Sequence, residues 1–169
     1  MKYFSGFCLQ NEEKFFDEWC IQSDFNVAGF SYGAIKAFEY ASTCKERIDT
    51  LQLFSPAFFQ DKDAKFKKLQ TLSFTKNPTA YCEAFLSNVT KPSNTDIQPY
   101  FKQGSTQELS ELLHYTWDEA RLKALKERGI TIEVYLGEKD AIINSSTCKD
   151  FFVEFASVYF FKRVGHILK

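Results

Sequence analysis

No stretch of this 169-residue chain approaches the roughly 20 consecutive apolar residues that a membrane-spanning helix needs. Met1 runs straight into Lys2-Tyr3-Phe4, with neither the apolar core nor the small-residue cleavage site of a secretory leader. These two absences predict a cytoplasmic protein with no membrane partner. Charge of one sign is also missing. Lys and Arg number 21 against 22 Asp and Glu, a net charge of −1, so the molecule as a whole carries no electrostatic footprint for nucleic acid. The five cysteines (Cys8, Cys20, Cys44, Cys82, Cys148) are scattered, odd in number and never in a Cys-x-x-Cys pair. That pattern fits reduced thiols serving as small core residues better than disulfides or a zinc site. Histidine is scarce, so any chemistry that needs an imidazole must use His114 or His166.

Aromatic residues are abundant. The 19 Phe, 8 Tyr and 2 Trp make up 17% of the chain, so many rings must fill a core or line an apolar cavity, which favours a site for a greasy ligand. With 44% hydrophobic and 25% charged residues, the composition is that of an ordinary globular domain, and the length suits one domain spanning 1–169.

Short apolar runs alternate with helical patterns. Tyr3-Phe4 reads as a strand entering the turn Ser5-Gly6-Phe7-Cys8. Asn11 to Cys20 reads as a helix, with Asn11 as N-cap, Glu12 and Glu13 at the positive end of its dipole, and Phe15, Phe16 and Trp19 on one face. Phe25 to Ala28 is a strand candidate followed by a glycine-bounded turn and a helix from Ala34 to about Ala41. Thr50 to Phe54 reads as a strand stopped by Ser55-Pro56. The stretch from Gln60 to about Ala124 holds no strand pattern, only lysine-rich helical pieces broken at Asn77-Pro78, Lys91-Pro92 and Gln98-Pro99. A strand at Thr131 to Leu136, a helix from Asn144 to about Ala156, a strand at Ser157 to Phe161 and a loop carrying Val164-Gly165-His166 complete the chain. Alternation of this kind predicts an α/β fold with a mostly parallel sheet, whose functional groups lie beyond the carboxyl ends of its strands. Residues 60–124 would be a helical insertion over that edge, a lid.

Each candidate chemical group follows a strand. Gly29-Phe30-Ser31-Tyr32-Gly33 matches Gly-x-Ser-x-Gly, in which small residues two before and two after the serine relieve crowding at a sharp strand-to-helix turn that exposes the hydroxyl. A serine needs a base to remove its proton. His166 follows the last strand, whereas His114 sits in a helical stretch of the insertion, where a solvated or capping role is natural. The base needs an acid to hold its tautomer. Asp140, after the penultimate strand, is placed for that; Glu138 on the same turn is its nearest competitor. The order Ser31, Asp140, His166 is the nucleophile-acid-base order of α/β-hydrolases. An oxyanion hole needs two amides, and the candidates are those of Tyr32, next to the nucleophile, and Phe7, after Gly6. The other reading of Phe7 is a plain turn with its ring in the core.

With these motifs in place the chain resembles an α/β-hydrolase over nearly its full length, and Ser5-Gly6-Phe7-Cys8-Leu9-Gln10 is similar to the His-Gly-Trp-Gly-Leu-Asn oxyanion loop of the pimeloyl-acyl-carrier-protein methyl ester esterases of biotin synthesis. Ser5 and Cys8 stand where that family has His and a second Gly, and the usual N-terminal hairpin is missing before the first strand. The resemblance implies Ser31 as nucleophile, Asp140 and His166 as its partners, the Phe7 and Tyr32 amides as the hole, and no cofactor or metal. It also implies an acyl carrier protein bearing a pimeloyl methyl ester as partner. Lys62, Lys65, Lys67 and Lys68 in the insertion would be its docking patch, with Phe66, Phe74, Tyr81, Phe85, Tyr100 and Phe101 walling the acyl chain. The same lysines fit a solvated helix face, and the same aromatics fit a lid core. Competing readings are a carboxylesterase or thioesterase for small acyl substrates and a hydrolase-fold binding protein without turnover.

Overall fold

All five expected strands form, and they pair in one sheet in the order of the chain. The computed structural model describes residues 1–169, with strands β1 (Lys2–Phe4), β2 (Asn26–Phe30), β3 (Thr50–Phe54), β4 (Thr131–Gly137) and β5 (Ser157–Phe161). Every neighbouring pair is parallel. β2 is buried along its whole length and β3 from Leu51 on, the continuous burial expected of strands covered on both faces. The short β1 and the partly exposed β5 form the edges.

Two different layers cover the sheet. Helix α1 (Tyr32–Thr43), α5 (Glu119–Glu127) and α6 (Ser145–Phe152) pack on one side, joined by Trp117, whose ring lies 5.2 Å from Phe38 and 5.0 Å from Phe152 and whose indole N–H donates to the Ala57 carbonyl at 3.0 Å. The opposite face is covered by the β1–β2 connection. Phe16 stacks on Phe54 at 4.6 Å and meets Phe30 at 4.9 Å, and Trp19 lies 5.2 Å from Phe161. Gln52, wholly buried in the middle of that face, ties this connection to the sheet. Its amide nitrogen donates to the Trp19 carbonyl (2.9 Å) and Glu133 (2.8 Å), and its oxygen accepts from Ile21 N (2.8 Å) and Asn26 Nδ2 (2.9 Å). A buried amide must satisfy both ends, and this one uses them to fasten a segment with no regular structure of its own.

The expected helix from Asn11 to Cys20 is replaced by one 3₁₀ turn, Glu13–Phe16. Asn11 has a positive φ of 56° and caps nothing, and Glu12 turns inward under the loop after β1. Phe15, Phe16 and Trp19 do not share a face. Phe15 meets Tyr100 at 4.9 Å, while Phe16 and Trp19 reach different strands. The apolar spacing was helical, but three separate surfaces claim the rings.

Between β3 and β4 the chain is helical: α2 (Ala64–Lys76), α3 (Pro78–Val89), α4 (Thr106–His114) and α5, with a 3₁₀ turn at Gln98–Tyr100. Asn77-Pro78 breaks the pattern by making a cap. Asn77 ends α2 and accepts from Ala80 N to start α3, with Pro78 at the first helical position, where no amide hydrogen is needed. Ser105 and Glu108 form a capping box for α4. α5 buries Leu122 and Leu125 in the layer on the sheet, so the helices standing apart from the sheet are α2 to α4, a shorter insertion than the 60–124 read from sequence. α6 likewise stops at Phe152, short of Ala156. No helix is long and apolar enough to cross a membrane.

Candidate active site

Ser31 sits between the last residue of β2 and the first of α1 with φ 54° and ψ −114°. A left-handed φ is strained for a residue with a side chain, and the flanking glycines show what allows it. A Cβ on Gly29 would lie 2.2 Å from the Gly33 carbonyl oxygen, and one on Gly33 would lie 2.0 Å from the Phe4 carbonyl oxygen. The strand, the helix and the end of β1 thus meet at backbone contact, and only hydrogen fits between them. Ser31 N donates to the Phe54 carbonyl at 2.9 Å, and its own carbonyl accepts from Ala34 N and Ala57 N, each at 3.1 Å.

The structure brings Ser31, His166 and Asp140 together. His166 Nε2 is 2.9 Å from Ser31 Oγ, and His166 Nδ1 is 2.6 Å from Asp140 Oδ2. The acid is itself held, because its other oxygen accepts from Ile142 N (2.7 Å) and Ile143 N (3.0 Å). Ser55, immediately after the end of β3 and in the left-handed region with φ 40°, donates its hydroxyl to the His166 carbonyl at 2.6 Å. The ring of Phe30 packs 5.0 Å from the imidazole. Gly165 is required by crowding rather than flexibility, since a Cβ there would fall 1.7 Å from the Lys91 carbonyl oxygen. Glu138 is exposed and pairs loosely with Lys139 at 3.9 Å, away from the imidazole. His114 is exposed on α4, with Nδ1 2.9 Å from the Ser110 carbonyl, in a shallow depression with Lys67 and Lys68.

The loop after β1 lies against the serine turn. A Cβ on Gly6 would meet the Phe30 ring at 2.8 Å and the Phe30 carbonyl oxygen at 3.4 Å. The amides of Phe7 and Tyr32 donate to no acceptor of the chain, as free donors for a developing negative charge would. The Phe7 ring belongs to the lid core, 5.4 Å from Phe85 and 6.1 Å from Phe74. Sequence reasoning missed what holds this loop. Glu12 is wholly buried, and its Oε1 accepts from Gly6 N at 2.8 Å and from the Tyr3 hydroxyl at 3.2 Å. Burial raises its carboxyl above the usual carboxylate range, against the lowering effect of the Gly6 amide. No motif marks Glu12; the nearest signal is an acid in a segment whose neighbours are phenylalanines.

The same loop is joined to the lid. Leu9 and Phe101 form an antiparallel bridge, Gln10 N donates to the Tyr100 carbonyl (2.8 Å), and Lys102 N donates to the Cys8 carbonyl (3.0 Å). On α4, Glu111 accepts from the Tyr32 hydroxyl and from Lys36 Nζ (2.6 Å), linking the lid to the helix that follows the serine. Lys36 and Tyr32 pull the Glu111 carboxyl down to about 2, while burial and then Glu111 push the Tyr32 phenol up to about 12. Beneath this closed lid Ser31 is 3% exposed and His166 0%.

A cavity of about 480 Å³ lies between α2, α3, α4 and the loop 140–144. Phe66, Tyr81 and Phe85 line it as the sequence suggested, and it reaches Asp140 but neither Ser31 nor His166. Phe74, Tyr100 and Phe101 are elsewhere: Phe74 is buried against Phe7 and Tyr81, Tyr100 packs on Phe15, and Phe101 pairs with Leu9. The expected lysine patch is divided. Lys62 faces the cavity and pairs with Asp61 at 3.3 Å, Lys67 and Lys68 border the depression beside His114, and Lys65 is exposed.

No family model matches the sequence, and no curated protein matches it. Solved structures do match in shape. A hydrolase from Oleispira antarctica aligns with a TM-score of 0.65 at 12% identity, over 85% of this chain and 58% of that one. A carboxylesterase from the thaumarchaeon Nitrososphaera gargenis aligns with a TM-score of 0.57 at 16% identity, over 83% and 57%. BioG from Haemophilus influenzae aligns with a TM-score of 0.58 at 11% identity, over 98% and 87%. The chain therefore spans little more than half the length of the hydrolase and the carboxylesterase, and nearly all of BioG. The likeness shows the α/β-hydrolase fold.

Proposed function

We propose that this protein is a serine hydrolase of carboxylic esters, and that its substrate is the methyl ester of a pimeloyl chain on an acyl carrier protein. The observation that carries the reading is the unbroken hydrogen-bonded chain from Asp140 through His166 to a serine held on a strained turn. A serine there for structure alone needs neither the imidazole nor the left-handed backbone.

In this mechanism His166 Nε2 takes the Ser31 proton as Oγ attacks the ester carbonyl. Asp140, already fixed by two backbone amides, holds Nδ1–H and stabilises the imidazolium. The Phe7 and Tyr32 amides receive the oxyanion. His166 then protonates the departing methoxide, activates a water on the acyl-enzyme, and the free acid leaves.

The methyl ester and the carrier rest on the likeness of the Ser5–Gln10 loop to the pimeloyl esterases and on the near end-to-end match to BioG. A second reading, a carboxylesterase or thioesterase for small acyl groups, draws support from the carboxylesterases among the structural matches. One experiment separates them. The protein is incubated with dimethyl pimelate in solution and with methyl pimeloyl carrier protein, and release of methanol is followed. Preference for the carrier-linked ester by about tenfold or more in kcat/KM, a gap of ~1.4 kcal/mol, supports the first reading, and equal rates support the second. Failure of a fluorophosphonate probe to label Ser31 would sink both in favour of a binding protein without turnover.

A further inference from the structure

Two of the five cysteines, far apart in sequence, meet at the junction of lid and loop. Cys8 directly follows Phe7 in the loop after β1, and Cys82 lies one turn into α3 of the lid. Their sulfur atoms are 2.6 Å apart, and both residues are buried, at 3% and 0% exposure. Gly104 also packs close to the Cys8 sulfur, because a Cβ there would lie 3.0 Å from it and 2.5 Å from the Phe7 ring. Gln103 Nε2 donates to Cys82 Sγ at 3.3 Å. The remaining cysteines have no such partner. Cys20 sits 3.1 Å from the Met1 sulfur, Cys44 is half-buried, and Cys148 is buried with no other cysteine beside it.

We propose that Cys8 and Cys82 form a dithiol site at which a two-electron oxidant makes a disulfide that fastens the lid to the loop after β1. With hydrogen peroxide as oxidant, one sulfur attacks the peroxide, the O–O bond breaks, and a sulfenic acid and one water form. The second sulfur displaces the hydroxyl, the S–O bond breaks, the S–S bond forms, and a second water leaves with the remaining thiol proton. Two electrons pass from the sulfurs to the peroxide oxygens, and two thiols plus one peroxide give one disulfide plus two waters. Burial and the neighbouring Cys82 push the Cys8 thiol up, so little thiolate is present and the first attack on peroxide is slow; the closeness of the second sulfur is what favours the disulfide once that attack has occurred.

The bond has a consequence for access. Backbone pairing at Leu9 and Phe101 already joins the loop to one end of the lid, and a Cys8–Cys82 bridge would join it to α3 as well. Ser31 and His166 are closed from solvent, so substrate enters only when the lid moves, and a covalent staple holds it shut. This consequence rests on the esterase reading; the bond itself does not.

The test treats the reduced protein with hydrogen peroxide and digests it with trypsin under non-reducing conditions. Free thiols should fall from five to three, and peptide 3–14 should appear joined to peptide 77–102, separable by dithiothreitol. Five surviving thiols, or a bridge that uses Cys20, Cys44 or Cys148 in place of this pair, would overturn the site. Turnover of a p-nitrophenyl ester should fall by about tenfold on oxidation, the gate being held closed, and return with dithiothreitol. Cys82→Ser, and Cys82→Ala should the serine variant fold poorly, should keep their activity through the same treatment. A bridged protein with undiminished turnover would refute the staple, and a protein that bridges but hydrolyses no ester in its reduced state would refute the esterase reading and leave the site standing.

Discussion

The sheet edge that carries the triad and the lid above it are held in place by different physics. At the edge, position is set by backbone crowding: Gly29 against Gly33, Gly33 against Phe4, Gly137 against Gly165, each at a distance no Cβ could share. Hydrogen bonds from Ser55, Ile142 and Ile143 then fix His166 and Asp140 from behind. The lid shares such crowding only at its connecting loops, where Lys91 meets Gly165 and Gly104 meets Phe7. Its helices are largely exposed on their outer faces, with Leu69 and Leu72 half in water, and they are joined to the rest by rings, one short bridge and the Glu111 contact. On the proposed esterase reading, geometry that must be right to a few tenths of an ångström for proton transfer is built on the rigid part, and the part that would move to admit substrate is attached by separable contacts.

The largest effect that would break this contrast is chemical. Ser31→Ala and His166→Ala should each lower kcat by about 10⁴-fold or more, and by similar amounts, because members of one catalytic unit are not additive. His114→Ala, on the exposed side of the lid, should change it by less than about twofold. Kinetics on a p-nitrophenyl ester, with circular dichroism to check folding, decide it. A severe loss at His114 beside an active His166→Ala would reverse the assignment.

Next comes the crowding itself. Gly33→Ala puts a methyl group 2.0 Å from the Phe4 carbonyl oxygen, where only backbone could yield. It should cost about 3 kcal/mol or more in urea unfolding, beyond the usual range for a surface change. A variant as stable as wild type would mean that the strand-to-helix turn is looser than the structure has it.

A middle-sized effect concerns charge on the lid. Reversing Lys65, Lys67 and Lys68 to Glu together should raise KM for a carrier-linked ester about fivefold to tenfold at low salt and leave p-nitrophenyl ester turnover near wild type. Lys62→Glu should behave differently and affect both substrates, since Lys62 faces the cavity beside Asp140. Identical KM values across a salt series would make the α2 lysines a solvated face.

The smallest expected effect sits where the two regions join. Glu12 has its carboxyl raised by burial, so its contribution to stability is complete below the ordinary carboxylate pKa of about 4.3 and declines as pH climbs through its higher folded value. Glu12→Gln keeps an oxygen for the Gly6 amide and carries no charge. Its Tm relative to wild type should therefore improve as pH rises from 4.5 to 7.5. A difference that stays flat, or that moves toward wild type as pH rises, would show that Glu12 serves as a well-paired carboxylate.

Much of the site was legible because its signals are local. Gly-x-Ser-x-Gly after a strand, a lone Asp after the next-to-last strand and a His after the last are consequences of βα connectivity, and parallel pairing brings those three strand ends to one edge whatever fills the helices. Glu12 was not legible, because its partner is an amide six residues back and its burial depends on Phe16 folding under the sheet. The helix read from Asn11 to Cys20 failed for the same reason: three apolar residues at helical spacing cannot announce that each has a different strand or loop to cover.

What the sequence by itself determined is the order of strands and helices, the serine turn and its glycines, and which of the two histidines follows the last strand, since those depend on steric rules between near neighbours and on chain order. Only the tertiary structure separated Asp140, which faces His166, from its neighbour Glu138, and decided where the lid ends, which lysines and rings share a surface, and that Cys8 and Cys82 meet. Each of those is a contact between segments tens of residues apart, and such contacts are set by how the whole chain fills space.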